Sequence, residues 1–226
     1  GNTTLGINGL HKATVQKVNM DNNQRSNIGY LGRASYSYDD RYFFTGSYRR
    51  DGASVFGVNQ KWGDFFAFGG AWRLSSEKFM SSISYLDDLK LKLSWGKNGN
   101  QGLDPYGTLS TINNGASGGV RYEFGGSDII YGLNQKALGN ANLGWETTES
   151  WNTGFESAWL GSRLFVDLDL YFSKTTDQIF TRDIPVMTGF KNMKSSMGQV
   201  NNRGVELTIR SVNIDTQDWY LSLIHI

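Results

Sequence analysis

The sequence has no cysteine, two prolines and two histidines. Without cysteine there are no disulfide staples and no thiolate metal sites, and two histidines leave little for a zinc centre. No run of about 18 apolar residues occurs, so no segment reads as a transmembrane helix. No excess of one charge is present either: 22 Lys plus Arg stand against 21 Asp plus Glu, which removes the basic footprint that a nucleic-acid partner would need. Helical periodicity is almost missing. The chain opens on GNTTLGINGL with neither an initiator Met nor a charged-then-apolar leader. It is therefore expected to be a piece of something longer.

What is present is glycine (28 residues), a 14% aromatic content and only 38% hydrophobic residues, little for a thick soluble core. Strict alternation of apolar and polar residues runs through seven segments, the signature of strands whose successive side chains point to opposite faces. Ile28, Tyr30, Gly32, Ala34, Tyr36 and Tyr38 share a face. Tyr42, Phe44, Gly46 and Tyr48 follow after Asp39-Asp40. Next come Trp62, Phe66, Phe68, Trp72 and Leu74; then Leu89, Leu91, Leu93 and Trp95, set against Lys90, Lys92 and Ser94. WETTESWNTGFESAW (Trp145 to Trp159) places three tryptophans and Glu149 on one face. Leu164, Val166, Leu168, Leu170 and Phe172 alternate with Asp167 and Asp169; Val205, Leu207 and Ile209 alternate with Glu206, Thr208 and Arg210. A weaker eighth strand is expected from about Asp218.

Short or compact connections alternate with longer Gly- and Asn-rich ones, as in an up-and-down outer-membrane barrel with short inner turns and long outer loops. The link from Ser75 to Asp87 is long for a turn, and SSEKFMSSISYL has room for a short helix. Several segments run longer than ordinary soluble strands and reach the roughly 9–11 tilted residues that span a bilayer. A soluble β-sandwich also buries one face of each strand. Three features favour the membrane: long charged groups on the faces opposite the apolar ones, aromatics near segment ends, and scarce proline. The charged faces suit a wide, water-filled lumen better than a small filled barrel.

Several blocks carry a family resemblance. SYRRDGASVFG (Ser47 to Gly57), KWGDFFAFGGAWRLSSEKFM (Lys61 to Met80), LDDLKLKLSWGKNGNQ (Leu86 to Gln101), GNANLGWETTESWNTGFE (Gly139 to Glu156), DLYFSKTTDQIF (Asp169 to Phe180) and GQVNNRGVEL (Gly198 to Leu207) occur in that order. Together they resemble the SusC/RagA-type TonB-dependent transporters of Bacteroidetes. Ala141 stands where that family usually has proline, and Val55 where it often has arginine. The resemblance implies an all-β, antiparallel up-and-down transmembrane β-barrel segment, 7–8 strands of a larger barrel of about 22, open because truncated. It implies no enzyme activity, metal or other cofactor. It implies import of oligosaccharides or peptides across the outer membrane, TonB as the source of energy through a segment absent here, and a SusD-like surface lipoprotein as lid. On this reading residues 1–25 are an incomplete loop or strand, 26–220 the partial barrel, and 221–226 a non-native tail, since LSLIHI resembles a reading frame through a library-preparation transposon end. The rivals are a passive porin or adhesin barrel and a soluble carbohydrate-binding sandwich.

Individual residues divide as follows. Trp151, Phe155 and Trp159 are expected to face lipid and form a girdle that fixes depth, with Glu149 above the upper boundary and Trp145 beyond the membrane. Asp167 and Asp169 share a face roughly 7 Å apart, a spacing open to a glycosidase pair but better read as a solvated ladder with Lys or Arg on neighbouring strands. Arg49 and Arg50 point to opposite faces, and Asp51-Gly52 is expected to turn the chain out of its strand with positive φ at Gly52. Tyr122, Phe124 and Tyr131 in the longest loop are the ligand-stacking candidates, though packing of the loop against a partner is the favoured reading of the same rings, with Gly119–Gly126 and Thr108–Ile112 expected to pair as a hairpin. Met187, Met193 and Met197 are expected to pack within a loop, and His11 has no neighbouring ligand.

Overall fold

The computed structural model describes residues 22–114, 121–123 and 129–226. The expected incomplete start at residues 1–25 therefore lies outside the described residues up to position 21, as do His11 and Phe124. In chain order the strands are β1 (Asn27–Tyr38), β2 (Tyr42–Ala53), β3 (Trp62–Arg73), β4 (Leu86–Asn100), β5 (Thr111–Asn114), β6 (Arg121–Glu123), β7 (Ile129–Tyr131), β8 (Leu133–Ala137), β9 (Glu146–Trp159), β10 (Leu164–Thr176), β11 (Ile179–Asp183), β12 (Asn192–Ser196), β13 (Gln199–Asp215) and β14 (Tyr220–His225). Eight of them form one sheet in the order β1-β2-β3-β4-β9-β10-β13-β14. Every neighbouring pair is antiparallel. The remaining six form two-stranded ribbons in the loops.

The alternation of loop length is real, and it sorts the connections to two ends of the sheet. At one end β1 turns into β2 through Asp39 and Asp40, with φ of 52° and 47°. This left-handed pair matches the right-handed twist of the flanking strands. At the same end β9 turns into β10 through Leu160, Gly161 and Ser162, all at positive φ, and the turn closes by Arg163 N–H donating to the Trp159 carbonyl at 3.0 Å. The Ser75–Asp87 link also belongs to this end and holds two single 3₁₀ turns, Leu74–Ser76 and Lys78–Met80. The β2–β3, β4–β9 and β10–β13 connections are the long ones, and all lie at the opposite end.

Two expectations are corrected. Gly52 is not a positive-φ turn residue; β2 continues through it to Ala53, with Gly52 opposite both Ile28 and Trp62. Its lack of a side chain instead admits the Trp62 ring, which a Cβ there would approach to 3.0 Å. The long loop also pairs differently from the expected hairpin. Thr111–Asn114 joins Leu133–Ala137, and Arg121–Glu123 joins Ile129–Tyr131. The shorter ribbon is nested inside the longer one, so only the inner pair closes a short loop, and closing it costs little entropy.

Register assigns the two faces of the sheet. One row across four strands reads Phe68, Trp95, Trp151, Phe172. Below it lie Leu93–Thr153–Leu170, Leu91–Phe155–Leu168 and Leu89–Ser157–Val166. The opposite face carries Lys90, Lys92, Glu156, Asp167 and Asp169 at the same depths. The sheet itself contributes little enclosed core. The one hydrophobic cluster of buried residues among those described sits at the long-loop end: Ala53, Val55, Phe56, Leu103 and Leu143.

Candidate functional site

The charged face is organised around one lysine. Lys92 Nζ on β4 lies 3.0 Å from Glu156 Oε1, 3.1 Å from Asp167 Oδ1 and 3.3 Å from Asp169 Oδ2. Lys90 Nζ completes the group at 2.6 Å from Glu156 Oε2. Glu156 is on the adjacent strand β9, but the two aspartates are on β10, one strand further away. The reach is possible because the position between Lys92 and Asp169 in register is Gly154. A Cβ at Gly154 would come within 2.5 Å of Asp169 Oδ1. The missing side chain is the gap through which the lysine crosses. Asp169 also stands directly opposite Glu206 on β13, a like-charge pairing that is unfavourable unless a cation is close. Asp167 and Asp169 thus share one ammonium from a neighbouring strand, the charge ladder expected from the sequence. Ser94, Ser150, Asn152 and Tyr171 line the hollow beside this cluster. The wall thus offers hydroxyls, amides and charges at a partly solvated surface.

The apolar face carries two aromatic belts. In the upper one Phe68 stacks on Trp95 with centroids 5.9 Å apart, and Trp95 lies 6.2 Å from Trp151. In the lower one Tyr42 stands between Tyr38 (6.5 Å) and Trp72 (6.2 Å), and Trp159 stacks on Tyr85 at 5.9 Å. Trp151 is 50% exposed, whereas Phe155 and Trp159 are partly covered. The Trp159 indole N–H donates to Ser157 Oγ at 2.8 Å. Glu149 sits one step beyond Trp151 on this face, six positions from Phe155, and accepts the Trp95 indole N–H at 2.7 Å. In register it lies between Lys97 and Lys174. No charged residue shares the face between the rows of Trp151 and Trp159 on β4, β9 or β10.

The lower belt is tied to its turn by Glu77. Its carboxylate accepts the Tyr42 hydroxyl at 2.8 Å and the Trp72 indole N–H at 3.1 Å, with Arg41 Nη1 3.7 Å away. The Tyr42 hydrogen bond, then that from Trp72, holds the carboxyl below its usual range.

At the long-loop end the motif residues meet. Gly57 N–H donates to the Leu143 carbonyl at 3.0 Å, and the Gly57 backbone passes so close to Ala141 that no side chain fits there. Trp145 packs on Phe56 and Phe65 with centroids at 4.8 and 5.4 Å. Glu146 accepts from Asn100 Nδ2 and from the Ile179 backbone N–H, both at 3.0 Å. Three loops converge on these contacts. Val55, an expected loop position, is 2% exposed within this core. Sequence reasoning missed the cluster because its members are scattered through non-periodic segments. The signal available was the clustering of apolar residues inside the quoted family blocks.

The other named residues fall elsewhere. Arg49 pairs with Asp51 at 2.7 Å on one face, and Arg50 reaches Asp64 at 3.8 Å on the other, so the two arginines do not converge. Tyr122 and Tyr131 belong to the β6–β7 ribbon, where Tyr122 pairs with Ile130 and Tyr131 with Arg121; Phe124 lies outside the described residues. Met187 is 93% exposed in the 3₁₀ turn Val186–Thr188, so it does not pack as expected. Leu221–His225, expected to be non-native, add to the β13 edge as part of β14.

Long antiparallel strands joined in sequence order, one apolar face bounded by aromatic belts and one charged face, define a segment of transmembrane β-barrel wall. The chain belongs to the TonB-dependent receptor family: the family described as TonB dependent receptor-like, beta-barrel, matches residues 2–225. It is 34% identical over 218 residues to the TonB-dependent receptor SusC of Bacteroides thetaiotaomicron, covering 94% of this chain and 21% of that protein. It is 32% identical over 222 residues to the TonB-dependent receptor P26 of Formosa agariphila, covering 96% and 22%. Among solved structures it is similar to the RagAB peptide importer in its open-open state, with a TM-score of 0.76, 25% identity, 88% of this chain and 21% of that one. The chain spans about a fifth of the length of the curated relatives it matches.

Proposed function

We propose that this chain forms part of the wall of an outer-membrane TonB-dependent importer of oligosaccharides or peptides. The observation that carries the reading is the pairing of family membership with two opposed faces. The apolar face meets lipid, with Trp151, Phe155 and Trp159 marking depth. The Lys92 face lines the transport path. The long loops lie outside the cell and the short turns inside, the usual arrangement of such barrels. A SusD-like lipoprotein covers the loops, and TonB acts through a segment elsewhere in the protein. The names of the relatives support a TonB-dependent importer: SusC is a TonB-dependent receptor, and RagAB is a peptide importer.

Deletion of the complete gene tests the proposal. The deletion strain should lose growth on one class of oligosaccharide or peptide while keeping growth on the corresponding monomers. Affinity purification of the complete receptor from membranes should bring down a surface lipoprotein. Unchanged growth on every oligomer tried, or uptake that persists without TonB, would overturn the reading and favour a passive porin.

A further inference from the structure

The apolar face ends at the long-loop side in a row of charges. On β2 and β3 these are Arg50 and Asp64; on β4, β9 and β10 they are Lys97, Glu149 and Lys174; on β13 it is Arg203, directly opposite Phe172. Four cations accompany two carboxylates, and each carboxylate accepts a hydrogen bond from a neighbouring aromatic side chain. Asp64 takes the Tyr48 hydroxyl at 2.7 Å and lies 3.8 Å from Arg50; Glu149 takes the Trp95 indole. Among the described residues no carboxylate forms an ion pair with Lys174 or Arg203, and both are exposed. A groove runs between β9, β10 and β13 at this level, lined by Glu149, Trp151, Phe172, Lys174, Asn201 and Arg203. Its floor is two exposed aromatic rings, Trp151 and Phe172, 50% and 53% accessible; Arg203 stands in the same row, directly opposite Phe172, and Lys174 one step nearer the loops, opposite Glu149.

Exposed aromatic rings with one cation beside them and a second one step nearer the loops are complementary to a lipid whose headgroup bears a phosphate. We propose that this groove binds the phosphate of an anionic outer-leaflet lipid, Lys174 and Arg203 holding the phosphate oxygens while Trp151 and Phe172 pack on the first methylenes of the acyl chains. Arg203 supplies paired N–H donors to the phosphate and Lys174 a point charge. The belt then fixes the barrel's height by charge as well as by aromatic burial. The inference rests on the outer-membrane reading above.

The test uses the complete receptor in nanodiscs containing either a phosphorylated glycolipid or its enzymatically dephosphorylated form, with bound lipid counted by native mass spectrometry. The phosphorylated lipid should be retained preferentially. The double variant Lys174→Gln/Arg203→Gln should weaken retention roughly 30-fold, from about fivefold for each cation at a membrane surface. Lys174→Arg/Arg203→Lys should keep it. Lys194→Gln, which removes a loop cation off the apolar face, should leave it unchanged. Heat-modifiable gel mobility identifies folded barrel in each sample, and the single Lys174→Gln variant, expected to lose about fivefold, serves where the double does not fold. Equal retention of the two lipids, wild-type retention in the glutamine variants, or equal loss in Lys194→Gln would overturn the proposal. Absence of the receptor from the outer-membrane fraction would overturn the localisation reading on which it rests.

Discussion

Replacing Lys92 with methionine removes one ammonium from three carboxylates while keeping the length and most of the apolar stem of the side chain. Each of the three contacts, at 3.0 to 3.3 Å, involves partly accessible groups, with 27% exposure for Lys92 and 35 to 44% for its partners. Ion pairs at such accessibility contribute about 0.2–1 kcal/mol each, so their loss costs about 2 kcal/mol. The variant also leaves Asp167 and Asp169 facing one another with no cation between them. At roughly 6 Å and an effective dielectric constant of about 20 their repulsion is about 2.8 kcal/mol, cut to about 1 kcal/mol by physiological salt. The sum is a loss of about 2–3 kcal/mol. Unfolding of the complete receptor by guanidinium in detergent, followed by heat-modifiable mobility, reads this as a lower midpoint. Lys92→Met/Asp169→Asn should recover about 1 kcal/mol, because it removes one of the stranded charges; groups in direct contact couple in this way. A single variant within about 0.5 kcal/mol of wild type, or a double variant whose effects simply add, would refute the account of Gly154 as the gap through which one lysine serves two strands.

Three further outcomes follow from other parts of the chain. Leu143→Ala opens a cavity in the loop core at a residue with no exposed surface; a local loss of about 2–4 kcal/mol should appear as faster protease nicking of the outer loops on intact cells, with barrel mobility on gels unchanged. Glu77 has a folded-state pKa below its ordinary value, so its contribution is present above the ordinary carboxylate value of about 4.3 and is lost as pH falls through the depressed one. Glu77→Gln should therefore unfold at a lower denaturant concentration than wild type at neutral pH, and the difference should shrink on acidification below that value; a constant difference across pH would contradict the assignment. Brominated acyl chains should quench the Trp151 fluorescence, isolated by subtracting a Trp151→Phe variant, more strongly with bromine near the headgroup than at the chain end. The opposite depth order would place Trp151 away from the upper boundary.

Much of the sheet was legible because membrane strands face two different solvents and must alternate strictly. Leu164 to Phe172, set against Asp167 and Asp169, states its faces without help from any neighbour. The short connection at Asp39-Asp40 was legible because the alternation stops at Tyr38 and restarts at Tyr42; its left-handed backbone, which aspartate tolerates, emerged only in the structure. What could not be read was whatever depends on register between strands. Asp167 and Asp169 suggested a ladder, but the choice of Lys92 over Lys90 needed the alignment Lys92–Gly154–Asp169. Gly52 misled because a glycine after aspartate also marks turns, whereas here the space is taken by a neighbouring indole. The loop core escaped because Ala53, Leu103 and Leu143 lie far apart in sequence, and no period connects them.

That loop core has a consequence for how the strands find their alignment. A sheet with lipid on one side and water on the other has many nearly equivalent pairings, because sliding by two residues keeps every side chain on its proper face. Such a slip between β4 and β9 would carry Leu103 and Leu143 about 7 Å apart and break the contact of Glu146 with Asn100. The cluster at the rim thus works as a combination lock for the sheet: it closes only when three loops arrive together, and it rejects the misaligned forms that the strands alone would tolerate.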